Sequence, residues 1–341
     1  MPISVSTDTE TLARQHQNTL TKPAGSLGRL EDIACWFAAR QGQVIPKRLQ
    51  AHICIFAADH GVASEGVSAF PSAVTAEMVK NFVRGGAAIN VLAKEHQASL
   101  SIVDVGVQTD LQSLEGLIHA NIQKGTENLL HQAAMSIEQQ WQAIEIGRQQ
   151  AREAIAQGAN LLIAGDMGIA NTTASACIIC ELAHADPQDV VGRGTGVSTD
   201  MYQHKLAVVT QALERTALLQ AQDVLHELGG FEIAAMTGFY LEAAESKVPM
   251  LIDGFISTAA ALAAWTINPR VVAWMIASHV SEEKGHALAL ETLGLEPLLN
   301  MGMRLGEGSG AALCLPILQS AITLHAQMAT FQSAGVSNCD D

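Results

Sequence analysis

The sequence predicts an α/β protein: a parallel sheet covered by helices on both faces, plus a small helical unit built from the two chain ends. Three observations predict it. Short apolar runs at 52–58, 99–107, 160–165, 248–255 and 271–278 alternate with longer segments of helix formers. That alternation is the mark of parallel strands joined by crossover helices, whose hand is right by rule. Both chain ends read as helix only. Hydrophobic residues make up 48% of the 341 and charged residues 16%, which excludes disorder and requires a large core. Aromatics are only 4% while Ala and Gly abound, so helices should pack closely on the sheet.

In chain order, 7–20 is a helix with a polar face, 21–30 is turn-rich with Gly25 and Gly28, and 30–41 is helical again. Lys22, Ser26 and Arg29 on the turn cap helices or reach a site. The strand 52–58 ends in Asp59-His60-Gly61, at the carboxyl end where α/β sheets bind ligands. A metal on Asp59 and His60 lacks a third ligand at matching spacing, so a hydrogen-bonded pair is expected. A loop over 61–72 carries Phe70-Pro71. Helices follow at 74–84 and 87–96, separated by Gly85-Gly86, then the strand 99–107, an irregular stretch over 110–126 and a long helix over 136–157.

The stretch Leu-Leu-Ile-Ala-Gly-Asp-Met-Gly-Ile-Ala-Asn-Thr-Thr-Ala-Ser-Ala, 161–176, organises the rest. Residues 161–164 have the continuous apolar pattern of a strand buried on both faces. Gly165 and Gly168 permit a tight turn; Asn171, Thr172 and Thr173 are capping types ahead of a helix over 173–184. Strand, glycine turn and capped helix aim free N–H groups at an anion such as phosphate. An ordinary strand-to-helix turn is the alternative, and the Walker pattern is absent. Cys177 and Cys180 read as small core residues of that helix.

A second glycine turn, Val191-Gly-Arg-Gly-Thr-Gly196, precedes a helix carrying Lys205, placed to supply positive charge. Residues 225–240 contain Gly229-Gly230 and a mostly apolar helix. The strand 248–255 ends at Asp253-Gly254, and 271–278 ends at His279. The segment 301–310 sets Glu307 between Gly306 and Gly308, ahead of a long apolar helix over 311–331. Buried, this carboxylate would hold its proton more tightly and suit general-base work; exposed, it is a loop glutamate with a capping role near Ser309. The expected division is 1–40 with 312–341 as the small helical domain and 41–311 as the large α/β domain.

The formal net charge of -15 argues against nucleic acid and anionic membranes as partners. Any phosphate must be held locally. The six cysteines are scattered without a disulfide framework, the first residues are polar, and the apolar run 255–265 is too short to span a bilayer. The expectation is a cytoplasmic protein.

Six motifs then bear on function: Thr21-Lys-Pro-Ala-Gly-Ser-Leu-Gly-Arg-Leu-Glu31; Ala58-Asp-His-Gly-Val62; Gly66-Val-Ser68 with Phe70-Pro71; Gly165-Asp-Met-Gly-Ile-Ala-Asn-Thr-Thr173; Gly192-Arg-Gly-Thr-Gly196; and Arg304-Leu-Gly-Glu-Gly-Ser-Gly310. Together, in this order and across nearly the whole chain, they resemble the nicotinate-nucleotide–dimethylbenzimidazole phosphoribosyltransferase family. The resemblance implies transfer of 5-phosphoribosyl from nicotinate mononucleotide to 5,6-dimethylbenzimidazole, giving nicotinate and α-ribazole 5′-phosphate for the lower ligand of cobalamin. It implies a homodimer, a Rossmann-like large domain, a small helical domain from the chain ends, and no metal or other cofactor.

By the same resemblance Glu307 is the catalytic base. Gly165, Asp166, Met167, Gly168, Asn171, Thr172, Thr173 and Lys205 bind the phosphate, and Gly192, Gly194, Thr195 and Gly196 line the same nucleotide. Ser68, Phe70, Ser72, Glu77, Met303 and Leu305 form the benzimidazole pocket. Two positions depart from the family pattern: Asp166 stands where Glu is usual, and Glu77 where Gln is common. Two rival functions are a non-catalytic nucleotide sensor on the same fold and a metal-dependent hydrolase using Asp59, His60 and His279.

Overall fold

The computed structural model describes residues 5–192 and 199–337. Six parallel strands form one sheet: β1 (Ala51–Ala58), β2 (Ser99–Gly106), β3 (Ile118–His119), β4 (Leu161–Met167), β5 (Met250–Ile252) and β6 (Met275–Ala277). Their order is β3-β2-β1-β4-β5-β6, the doubly wound Rossmann arrangement. The order reverses between β1 and β4, and that reversal opens a crevice at the carboxyl ends of the two strands.

The central strands read as unbroken apolar runs because both of their faces are covered. Cys54, Phe56 and Ala58 of β1, with Leu162 and Ala164 of β4, enter one core. Ile53, Ile55 and Ala57, with Leu161 and Ile163, enter the other. Successive side chains alternate across the sheet, so strand residues must be apolar at every position when helices lie on both sides.

The first core is closed by α5 (Ile137–Ala156), α6 (Asn171–Ala183), α10 (Phe231–Glu245) and α11 (Phe255–Ile267). The second is closed by α3 (Ala73–Arg84), α4 (Ala88–Glu95) and α13 (Ser309–Gln327). Shorter helices are α7 (Pro187–Val190), α9 (Val224–Leu228), α12 (His286–Thr292) and α14 (Phe331–Ala334); α8 (Thr199–Arg215) carries Lys205. The start of α5 is chemically marked: Ser136 accepts the Gln139 N–H, and the Gln139 side chain accepts the Ser136 N–H.

The chain ends meet. α1 (Thr7–Thr19) and α2 (Arg29–Gln41) pack together, Leu20 bridges antiparallel to Thr330, and the Thr21 N–H donates to Ala329 O at 2.9 Å. Gln17 Nε2 meets His325 Nδ1 at 2.7 Å, and His325 Nε2 donates to Val44 O. The border expected at 311/312 falls inside α13, whose first turns belong to the sheet's second core. By length and composition alone this helix would suffice to cross a membrane. Its Ala311, Ala312, Leu315, Leu318 and Ile322 are instead packed against the sheet and α2.

Several expectations need correction. The strand expected over 271–278 is mostly a 3-10 turn, Pro269–Trp274, started by Asn268 and Pro269; only Met275–Ala277 extends. β3 lies inside the stretch read as irregular, and its two residues are too few to set a period. Gly229-Gly230 ends one helix and begins another. The helix expected over 311–331 stops at Gln327, after which Thr330 caps α14. Lys22 pairs with Glu31 at 2.8 Å, and Arg29 donates to Pro297 O and Glu296 O, so these two loop cations tie elements together.

Candidate active site

A cavity of about 340 Å³ lies over the carboxyl ends of β4, β5 and β6, beside the point where the strand order reverses. Its wall combines the exit of β4 and start of α6 (166–172 in part), the start of α11, His279 and Ser281 past β6, and Arg304 to Glu307. Phe70, Val74 and Met78 close one side with apolar surface. Such a pocket, apolar with a few convergent polar groups, is the usual form of a small-molecule site.

Glu307 is 6% exposed and lies in the left-handed region at φ 65°, between Gly306 at φ 86° and Gly308 at φ 82°. Its Oε2 has no hydrogen-bond partner. Burial pushes its pKa up to about 7; the Ile89 N–H at the start of α4 opposes this and the negative Asp253 adds to it. A buried carboxylate that ionises near neutrality is poised to take a proton.

Asp166 faces the same turn: a Cβ on Gly306 would lie 3.3 Å from its Oδ1, and its Oδ2 accepts the Asn171 side-chain N–H at 2.8 Å. Burial pushes it up to about 8, with Asp253, Glu232 and Glu307 adding to the rise and Asn171 opposing it. Asp253 accepts the Ala311 N–H at 2.8 Å and the Gly308 N–H at 3.2 Å, which fixes the start of α13.

The cradle is built differently from expectation. Gly165 does not turn the chain; it lies inside β4, pressed against the backbone of Glu307. Gly168 is needed because a Cβ there would sit 2.5 Å from Ala58 O. α6 begins at Asn171 behind Ala170 at φ 74°, without a side-chain cap. The Asn171 and Thr173 N–H groups donate to Gly168 O and Ala170 O, and the Ile169 N–H donates to Thr75 Oγ1. Asn171, Thr172 and Thr173 are therefore first-turn residues rather than caps, and three of the expected free donors are already engaged. Lys205 stands at this turn, 1% exposed, its Nζ donating to Thr172 Oγ1 at 2.8 Å. Burial lowers its pKa and Glu283 opposes that.

Of the residues expected at the aromatic base, Phe70 and Leu305 line the cavity. Ser68, Ser72, Glu77 and Met303 are outside its lining, and Glu77 is exposed on α3. The helical period explains the shift: Val74 and Met78, four apart, share the face that meets the cavity, and Glu77 lies on the next face. Gly192 abuts Glu283, whose Oε2 would be 2.1 Å from a Cβ there. Gly194, Thr195 and Gly196 lie outside the described residues.

The hydrolase reading finds no support in the geometry. His60 Nε2 donates to Glu232 Oε1 at 2.6 Å in a fully buried pair, Asp59 Oδ2 accepts the Gln108 N–H, and His279 Nδ1 lies 3.0 Å from Ser278 Oγ. Among the described residues no group of three or more His, Cys, Asp and Glu side chains could hold a metal ion.

A family model described as phosphoribosyltransferase matches residues 4–336. The chain belongs to this phosphoribosyltransferase family. It is 58% identical over 327 residues to a nicotinate-nucleotide–dimethylbenzimidazole phosphoribosyltransferase of Chromobacterium violaceum, covering 95% of each chain. It is 48% identical over 331 residues to the enzyme of the same name from Pseudomonas fluorescens, covering 96% and 94%. Among solved structures, the crystal structure of CobT from Thermus thermophilus superposes with a TM-score of 0.94 at 45% identity, covering 97% of this chain and 99% of that one. Among the charged residues at this site, Asp253, Glu283 and Arg304 escaped the sequence reading as site residues. Asp253 was visible as a strand-end polar residue and Arg304 as part of the 304–310 motif; Glu283 had no local signal.

Proposed function

We propose that this phosphoribosyltransferase moves 5-phosphoribosyl from nicotinate mononucleotide to 5,6-dimethylbenzimidazole, within assembly of the cobalamin nucleotide loop. The observation that carries the mechanism is Glu307, buried at the cavity with one oxygen unpartnered and a pKa near 7. The donor already bears a cationic pyridinium, a good leaving group that needs no protonation. The acceptor is the reluctant partner, since a neutral benzimidazole bears an N–H.

In the proposed step the Glu307 carboxylate takes that proton while the opposite ring nitrogen attacks C1′. The C1′–pyridinium bond breaks, its electron pair stays on the leaving nitrogen, and nicotinate departs. Attack opposite the leaving group inverts C1′ and turns a β substrate into an α product. A positioned base of this kind is worth roughly 10²–10⁴-fold, and holding both rings against one ribose adds a proximity gain.

The phosphoryl group is read as lying by Lys205 and Thr172, where its negative charge favours the charged form of the buried ammonium. The aromatic base is read as lying between Phe70, Val74, Met78 and Leu305. A cytoplasmic homodimer is part of the same proposal. The free, buried cysteines Cys35, Cys54, Cys177, Cys180 and Cys314 suit a reducing compartment, and light scattering should give twice 36.0 kDa.

One incubation tests the function: nicotinate mononucleotide with dimethylbenzimidazole, assayed for nicotinate and α-ribazole 5′-phosphate. Equal amounts of both products are expected. Binding of the nucleotide without release of nicotinate would make the chain a sensor instead.

A further inference from the structure

Glu307 reaches the cavity because the backbone passes through three left-handed residues in succession, at 306, 307 and 308. Glycine accepts this conformation; a glutamate is held there only if its flanks are held. Ser309 grips the turn from within, its Oγ donating to Gly306 O at 2.7 Å. From outside, the side chain of Asp253 grips it, the residue after β5, 2% exposed, bonded to the Gly308 and Ala311 N–H groups. No Lys or Arg pairs with Asp253 among the described residues. Burial raises its pKa, and His279 and the N–H groups at the amino end of α13 oppose that rise.

We propose that Asp253 is a positioning residue of the transfer reaction, holding Glu307 in its left-handed turn with the carboxylate facing the cavity. The proposal rests on Glu307 being the base. Asp253 touches no substrate position; it acts through Glu307. The acidic side chains facing Glu307 come from separate elements, Asp166 on β4 and Asp253 past β5, with His279 past β6 and Arg304 on the same loop at the cavity wall. Of these, Asp253 is also bonded to the turn itself.

The test is a double-mutant cycle of D253N and E307Q, with kcat and both KM values measured on each folded variant. D253N keeps the size but loses the charge and one acceptor. Misplacing a reacting group by about 1 Å costs on the order of 100-fold, so D253N should lower kcat by about 10- to 100-fold with the nucleotide KM nearly unchanged. In the E307Q background the same substitution should cost nothing further. Equal losses in both backgrounds, or wild-type kcat in D253N, overturn the proposal. Wild-type kcat in E307Q alone instead removes the base on which it rests. Should D253N not fold, D253E serves in the same cycle, since its extra methylene shifts the carboxylate off both N–H groups; wild-type kcat in it is equally adverse.

Discussion

Gly165 and Glu307 touch backbone to backbone: a Cβ placed on Gly165 would sit 2.4 Å from the Glu307 carbonyl oxygen. The middle strand of the sheet and the turn carrying the proposed base are thus one packed unit. Gly165→Ala should displace that turn. Overpacking of this kind costs about 1–3 kcal/mol, so a lowered melting temperature and a kcat loss above roughly 10-fold are expected together. A variant that melts and turns over like the wild type would show that the turn tolerates movement.

Glu307→Gln keeps the volume and removes the proton acceptor. Turnover should fall by roughly 10²–10⁴-fold, with the nucleotide KM unchanged because the phosphate contacts are untouched. Steady-state kinetics on the purified variant decides it, and an unaltered kcat excludes Glu307 from the chemistry.

The pH profile follows from the same group. With the Glu307 pKa raised to about 7, the base is mostly protonated at pH 6 and mostly ionised at pH 8. The kcat/KM for the benzimidazole should therefore rise with pH and level off above about 7. A profile flat between pH 5 and 8 contradicts this assignment.

Stability should run the opposite way. Asp166 is raised to about 8 in the fold against 3.8 as its ordinary value. The folded state therefore keeps a proton that the unfolded chain releases as pH passes 4. That contribution is fully present below pH 4 and is lost as pH rises toward 8, each pKa unit being worth about 1.4 kcal/mol. Glu307 acts in the same direction. Melting temperature of the ligand-free protein should drop between pH 5.5 and 8, and Asp166→Asn should flatten that slope. Parallel slopes for variant and wild type would count against it.

Lys205→Met preserves the buried stem and removes the ammonium. The apparent KM for nicotinate mononucleotide should rise about 10-fold or more while that for the benzimidazole stays put, since uniform binding of the phosphate is what is lost. An unmoved nucleotide KM in a stable variant would leave Lys205 a purely structural neighbour of Thr172.

The long elements were legible because their residues repeat with a period. β1 and β4 carry continuous apolar runs, 53–58 and 161–164, β2 an apolar run broken by Asp104, and α3 and α5 carry their capping or amphipathic pattern locally. β3 and β6 were missed or misplaced because two or three residues hold no period, and their pairing comes from neighbouring strands. The sequence reads the two glycines as permitting a tight turn; they are instead set by what lies across from them, the Glu307 turn for Gly165 and the Ala58 carbonyl for Gly168.

The sequence by itself determined the alternating α/β order, the pairing of the chain ends, the family resemblance, and that Glu307 stands between glycines. Those are local or cumulative properties of the chain. Tertiary structure alone decided that Glu307 is buried beside Asp166 and Asp253, and that Lys205 meets Thr172. It also decided that Val74 and Met78, not Glu77, face the cavity. These residues are tens to more than a hundred positions apart, brought together where neighbouring parallel strands end. Proton affinity there is set by burial and by charges from other elements, which no local pattern encodes.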